Sequence, residues 1–309
     1  MNEKKLMYLQ TENDSINIYL HSPKGGADNF MKYTLRHFTV PFSDGGTYQN
    51  QNVWRLFELY SYKKTDDVFK KELNYPIVNG GEWECAIRIK DTPDFHGGYH
   101  GYENTLSACF VADGEEIICS RPCKIQAEKF ECILKSEIYR QGTENETIAE
   151  HIKHYVFENG KVVLHQEILW KQEVTVLYSY LMMFPIRRTS DDTPSGEVIS
   201  DRISINDNSR IYDIEKTGHN TEVSNKAVPT RNVKYAKIWG RKSGICAEIS
   251  INCDFLPTNS FVVQNNNVYN KLYFSYAGDG IGHKVMPEDI WAIDTEYEIY
   301  RNKISCKSE

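Results

Sequence analysis

Thr147-Ile148-Ala149-Glu150-His151-Ile152-Lys153-His154-Tyr155-Val156-Phe157-Glu158-Asn159-Gly160-Lys161-Val162-Val163-Leu164-His165-Gln166-Glu167-Ile168-Leu169-Trp170 reads as two strands joined by a tight turn. Asn-Gly is the favoured centre of a two-residue type I′ turn, because both residues tolerate positive φ. A turn centred there sets Glu158 against Lys161, Phe157 against Val162, Tyr155 against Leu164 and His154 against His165. Side chains alternate across a strand. One face then carries Phe157, Tyr155, Val162, Leu164 and Ile168 and reads as core. The other carries Val156, His154 and Ile152 with Val163, His165 and Glu167. A slip of one residue would separate the two histidines. His151 falls on the core-facing side and reads as structural.

The same alternation recurs outward in both directions, at 15–21, 31–40, 54–62, 83–90, 105–112, 125–139, 173–185, 197–205, 210–215, 233–240, 245–253, 271–276 and 290–300. Many strands at short spacing with little helical periodicity predict an all-β protein, a large antiparallel β-sandwich of supersandwich type with at most one or two short helices. One short helix is expected at 66–73, with Thr65 as its N-cap and acids in its first turn. Polar stretches at 189–194 and 216–231 read as loops, the second long enough for a lid or binding loop, and 264–267 reads as a turn. No composition break divides the chain, so one domain is expected over 1–309.

The chain has 309 residues, 40% of them hydrophobic and 26% charged, which suits a soluble globular protein with a sizeable core. Its net charge of −7 and lack of a basic stripe argue against nucleic acid as a partner. No apolar run reaches membrane-helix length, and none near Met1 makes a signal peptide. The expected location is therefore cytoplasmic as encoded, or virion-associated or released. Eight cysteines show no C-x-x-C pair; Cys119 and Cys123 lack a second pair of ligands, so reduced thiols are expected. The 20 Tyr, 13 Phe and 5 Trp suit strands, and Tyr and Trp also suit sugar-binding surfaces.

The densest polar motif is Asp94-Phe95-His96-Gly97-Gly98-Tyr99-His100-Gly101-Tyr102-Glu103. Glycine permits positive φ and close approach. The loop can present His96, Tyr99, His100, Tyr102 and Glu103 to a ligand, with His as acid or base near neutral pH. The competing reading is a surface loop whose glycines serve only the turn. Metal ligation by His96, His100 and Glu103 lacks the helical Glu-x-x-His spacing, so no metal is expected. Arg187 and Arg188, after the apolar run 181–186, suit bidentate contact with a carboxylate. Tyr178 and Tyr180 lie two apart on one face. Trp239 and Trp291 read as core. No G-x-S-x-G, phosphate loop or H-E-x-x-H occurs.

Phe95–Glu103 resembles a Gly-Gly-x-His-Gly loop of β-rich proteins from phage tails and bacterial polysaccharide use. The expected architecture resembles the large sandwiches of polysaccharide lyases and sugar mutarotases. The resemblance implies a carbohydrate-active protein with a lyase-like or epimerase-like site and a polysaccharide or oligosaccharide as partner. Such chemistry needs a base, a proton donor and a group that neutralises a carboxylate, and no cofactor. His100 or His165 would be the base, Tyr99 or Tyr102 the donor, and Arg187 or Arg188 the neutraliser; the inverted assignment is equally allowed. The alternative is a non-enzymatic glycan-binding module of a phage tail or surface. Convergence of His96, His100, His154 and His165 in one cleft would separate the two.

Overall fold

In a computed structural model the described residues are 7–12, 14–39, 52–79, 83, 85–143, 146–190, 196–206, 210–214, 221–222, 233–253, 260–265, 268–277 and 280–302. In chain order the strands are β1 (Met7–Glu12), β2 (Ser15–His21), β3 (Asn29–Phe38), β4 (Val53–Thr65), β5 (Val68–Lys71), β6 (Val78–Asn79), β7 (Ala86–Ile89), β8 (Glu103–Ala112), β9 (Glu115–Glu116), β10 (Cys123–Ala127), β11 (Lys129–Tyr139) and β12 (Thr147–Glu158). There follow β13 (Lys161–Trp170), β14 (Val174–Arg187), β15 (Arg202–Ile205), β16 (Ile211–Asp213), β17 (Thr221–Glu222), β18 (Tyr235–Trp239), β19 (Ile245–Asn252), β20 (Ser260–Asn265), β21 (Tyr269–Ser275), β22 (His283–Val285) and β23 (Ile290–Arg301). Helical structure among the described residues is limited to 3₁₀ turns at Pro23–Gly25 and Gly98–His100.

The strands form three antiparallel sheets. A seven-stranded sheet runs β10-β1-β2-β3-β4-β5 with β6 also on β4, and a ten-stranded sheet runs β16-β15-β18-β19-β23-β13-β12-β11-β8-β9. A six-stranded sheet runs β17-β20-β21-β14-β22 with β7 also on β14. The fold is thus all-β and sandwich-like, as the alternating pattern predicts.

The hairpin at the centre of the ten-stranded sheet has the expected register, Glu158 opposite Lys161 and His154 opposite His165. Asn159 and Gly160 both take positive φ, 51° and 78°. Tyr155, Phe157, Val162 and Leu164 are fully buried. They pack into one apolar cluster fed by all three sheets. Trp83 ties the sheets together. Its ring meets Tyr33 of β3 at 5.9 Å, Phe184 of β14 at 5.5 Å and Tyr297 of β23 at 6.1 Å.

Three expectations change. The helix at 66–73 is a hairpin: Thr65 pairs with Val68 across Asp66 and Asp67, whose φ values are 50° and 61°. Asp tolerates that region, and Phe69 then stacks on Tyr19 at 4.3 Å, so aromatic burial prevails over the weak helical signal. The single strand at 125–139 is two strands in different sheets, β10 beside β1 and β11 beside β12. Trp291 is buried, but Trp239 is only half-buried, because β18 alternates and its core positions are Ala236 and Ile238. The loop at 216–231 lies outside the described residues except for 221–222, as do most of 189–194 and half of 264–267.

Candidate functional site

The glycine loop hangs from β7. His96 and Ile87 exchange both backbone hydrogen bonds, at 2.9 and 2.7 Å, and the Gly97 N–H donates to the Gly101 carbonyl at 2.8 Å. Gly97 and Gly101 have φ of 99° and 78°. A Cβ on Gly97 would also crowd the Cys85 carbonyl at 3.2 Å, so glycine is required there twice over. Tyr102, a residue with a side chain, is held at φ 55°, which directs Glu103 inward.

His96 is a sealed core histidine. Its Nδ1 lies 3.2 Å from the Ile87 carbonyl and its Nε2 accepts from the Gln141 N–H at 3.2 Å, the pattern of a neutral imidazole. Burial pushes its pKa down to about 4. Glu103 is buried as well. One carboxylate oxygen accepts from the Gly98 N–H; the other lies 3.2 Å from both His151 Nδ1 and Lys153 Nζ. Burial opposes its charge, but Lys153 and then His151 outweigh burial and hold the carboxyl below the usual range. His151, on the core-facing side of the hairpin, is therefore the imidazole that meets the loop carboxylate. Register allowed it, since Ile138 faces Glu103 across β8 and β11 while Ser136 faces His151 across β11 and β12.

The remaining candidates lie elsewhere. His154 and His165 face the outer side of the ten-stranded sheet, partly exposed, bonded to Glu131 at 3.1 Å and Asp294 at 2.7 Å. The same alternation that sends His151 and Lys153 inward sends His154 outward. The four histidines therefore do not converge. Arg187 is buried and donates through Nε to the Thr189 carbonyl at 3.2 Å. The loop packs on β14 at Tyr178 and Tyr180, and the seven residue steps from Tyr180 to Arg187 span about 20 Å of strand. Arg187 and the half-buried Arg188 are thus remote from His96, Tyr99 and His100.

A groove of about 560 Å³ crosses the outer face of the seven-stranded sheet. Its floor is a cross-strand row, Asn17, Thr34 and Glu58. The next row along is Glu12, Ser15 and Arg36, and Lys32 closes the other side. Asn17 and Thr34 are only 8% and 6% exposed, and the Thr34 hydroxyl donates to Asn17 Oδ1 at 3.0 Å. Both residues line the groove. Between Thr34 and Leu35 the register skips Phe57, a bulge that re-aims this ring to line the groove beside Phe38 at 5.3 Å. The Arg36 guanidinium rests on both rings, 5.2 and 5.4 Å from their centroids. Burial lowers the pKa of Lys32; Glu58 opposes this and Lys71 reinforces it. Sequence reading placed 15–21, 31–40 and 54–62 in strands but did not single out these residues. Their signal was polar side chains at every second position.

The groove and the glycine loop are joined. Arg55 lies 4.1 Å from the Phe38 ring centre and 5.1 Å from that of Tyr99. Asn52 bonds His37 at 2.7 Å and Asn104 at 2.8 Å, so β3 and β8 are braced at the same end. Among the described residues no cluster of His, Cys, Asp and Glu could hold a metal ion. No helix among them is long and apolar enough to cross a membrane.

No protein-family model matches the chain, and no curated protein matches it. Among solved structures it is similar to a galactose mutarotase-like protein from Clostridium acetobutylicum, at 12% identity and a TM-score of 0.42, covering 97% of this chain and 100% of that one. It is similar to the galactose 1-epimerase from Lactobacillus acidophilus, at 10% identity and a TM-score of 0.36, covering 97% and 100%. A third is the galactosidase domain of an alpha-galactosidase-sucrose kinase, at 12% identity and a TM-score of 0.42, covering 96% of this chain. This chain spans 40% of the length of that last protein.

Proposed function

We propose that this protein binds a carbohydrate, and that the ligand lies in the groove across the seven-stranded sheet. The observation that carries this reading is the groove floor, where Asn17 and Thr34 are nearly buried and bonded to each other among polar lining residues of both charges. Carboxylates of Glu12 and Glu58, the Asn17 amide, the Lys32 ammonium and the Arg36 guanidinium alternate around it, and Phe57 supplies an apolar wall. Alternating donors and acceptors beside an aromatic ring match the alternating hydroxyls and apolar faces of a sugar. Binding without turnover is favoured over lyase or epimerase chemistry. His96 is sealed and neutral, and His154 and His165 turn outward onto Glu131 and Asp294, so neither joins His100 of the loop in a common cleft.

The test is calorimetric or NMR titration with neutral, amino and uronic oligosaccharides, with parallel assays for unsaturated products and for anomeric exchange. Binding of at least one class is expected, weakened about tenfold or more by Asn17→Ala and by Glu58→Gln, with no turnover. Binding that both substitutions leave unchanged refutes the assignment to this groove. Turnover abolished by His100→Ala would restore an enzymatic reading centred on the loop.

A further inference from the structure

Beyond the groove, a row of rings continues from its end onto the six-stranded sheet. Phe38 is both a groove wall and the first member of the row. Arg55 bridges it to Tyr99. Tyr99 then meets His100 at 5.6 Å, His100 meets Phe95 at 5.3 Å, Phe95 stacks on Tyr180 at 5.7 Å, and Tyr180 meets Tyr273 at 4.6 Å. Tyr178 flanks the row, 6.3 Å from Phe95 and 6.1 Å from Tyr180.

These rings lie outside the main core. Tyr180, Tyr273 and Phe95 belong to a small apolar cluster with Ala86 and Met183. Two irregularities in β14 produce this arrangement. The register shifts between Val176 and Tyr178 and again between Tyr180 and Met182, so Val176 and Met182 face the core while Tyr178 and Tyr180 face away from it. Bulges re-aim side chains at a cost in regular pairing, and they are over-represented at sheet edges and beside active sites. Phe95, Tyr99, His100, Tyr178 and Tyr180 all remain partly exposed. Beside them, the Nε of Arg88, which pairs with Tyr178, is buried without a hydrogen-bond partner.

We infer that the ligand is a linear oligosaccharide long enough to leave the groove past Phe38 and lie along the Tyr99–His100–Phe95–Tyr180 row. This rests on the groove reading and extends it. The groove supplies polar recognition of a few units, and the rings supply stacking for the units beyond, with the Tyr hydroxyls and the His100 imidazole adding polar edges for hydroxyls. On this account the glycine loop acts through Phe95, Tyr99 and His100 as a stacking platform, and Glu103 is its buried anchor.

The probes are homologous ladders of galacto-, chito- and galacturono-oligosaccharides, from monosaccharide to long oligomers, titrated into the full chain. Affinity is expected to rise about tenfold or more between the dimer and the hexamer of the ladder that binds. Tyr178→Leu and Tyr180→Leu keep apolar bulk without the ring, and circular dichroism checks their folding. They should erase the gain with length and leave dimer affinity unchanged. Affinity independent of length, or a gain that survives both variants, overturns the extended site and leaves the groove intact. Failure of every ladder to bind removes the groove reading, and the extension with it. If a leucine variant fails to fold, His100→Ala, which removes one ring of the row, carries the same comparison on a folded chain.

Discussion

At His96, both ring nitrogens are engaged by backbone groups and none is left for chemistry. Such a residue contributes to stability through its neutral form. Its pKa falls from the ordinary 6.5 to about 4 on folding, so between these values the unfolded chain binds more protons than the folded one. Stability from this group is complete above pH 6.5 and is lost as pH falls toward 4, by about 3 kcal/mol at most. The urea midpoint of the wild type should therefore drop more between pH 7 and pH 4.5 than that of His96→Gln, whose amide can keep both backbone contacts. Parallel pH profiles would show that the buried imidazole does not govern acid sensitivity. Glu103, held below its ordinary range, acts in the same direction at still lower pH. The chemistry-bearing residue types of the loop were plain in the sequence. Their burial was not, because the partners of His96 and Glu103 come from Gln141, His151 and Lys153, far along the chain.

The hairpin shows what one element needs. Gly160 satisfies two demands: φ of 78°, and room for Pro23, whose Cδ would lie 2.6 Å from an added Cβ. Proline has no soft side-chain end to move aside. Gly160→Ala should cost roughly 1–3 kcal/mol in chemical denaturation, more than Asn159→Gly at the neighbouring turn position. Equal, small effects would mean that the turn relaxes freely. The turn type and strand register were legible from Asn159-Gly160 and the flanking alternation. The demand from Pro23 was not, since it comes from a separate turn. Asp66-Asp67 is the converse. Its acids looked like a helix start, and only the aromatic bed under Phe69 selects the hairpin.

At the scale of the whole molecule, Trp83 touches a ring from each of the three sheets. Its truncation opens a void at their meeting point, and Trp83→Ala should lower stability by about 3–5 kcal/mol. The loss should appear as a lower midpoint of one shared unfolding transition. Two well-separated transitions in the wild type, with only one displaced in the variant, would show that the sheets are not coupled through this residue.

The sequence by itself determined the all-β class, the central hairpin and its register, and which hairpin positions face the core. These follow from side-chain alternation with period two and from local turn chemistry, both written within a few residues. Only the tertiary structure decided which polar groups share a site. The groove joins Glu12, Asn17, Thr34 and Glu58 from four strands, and a bulge at Phe57 shapes its wall. Strand order, bulges and the packing of one sheet on another are set by contacts between distant residues. No local pattern in the chain encodes them.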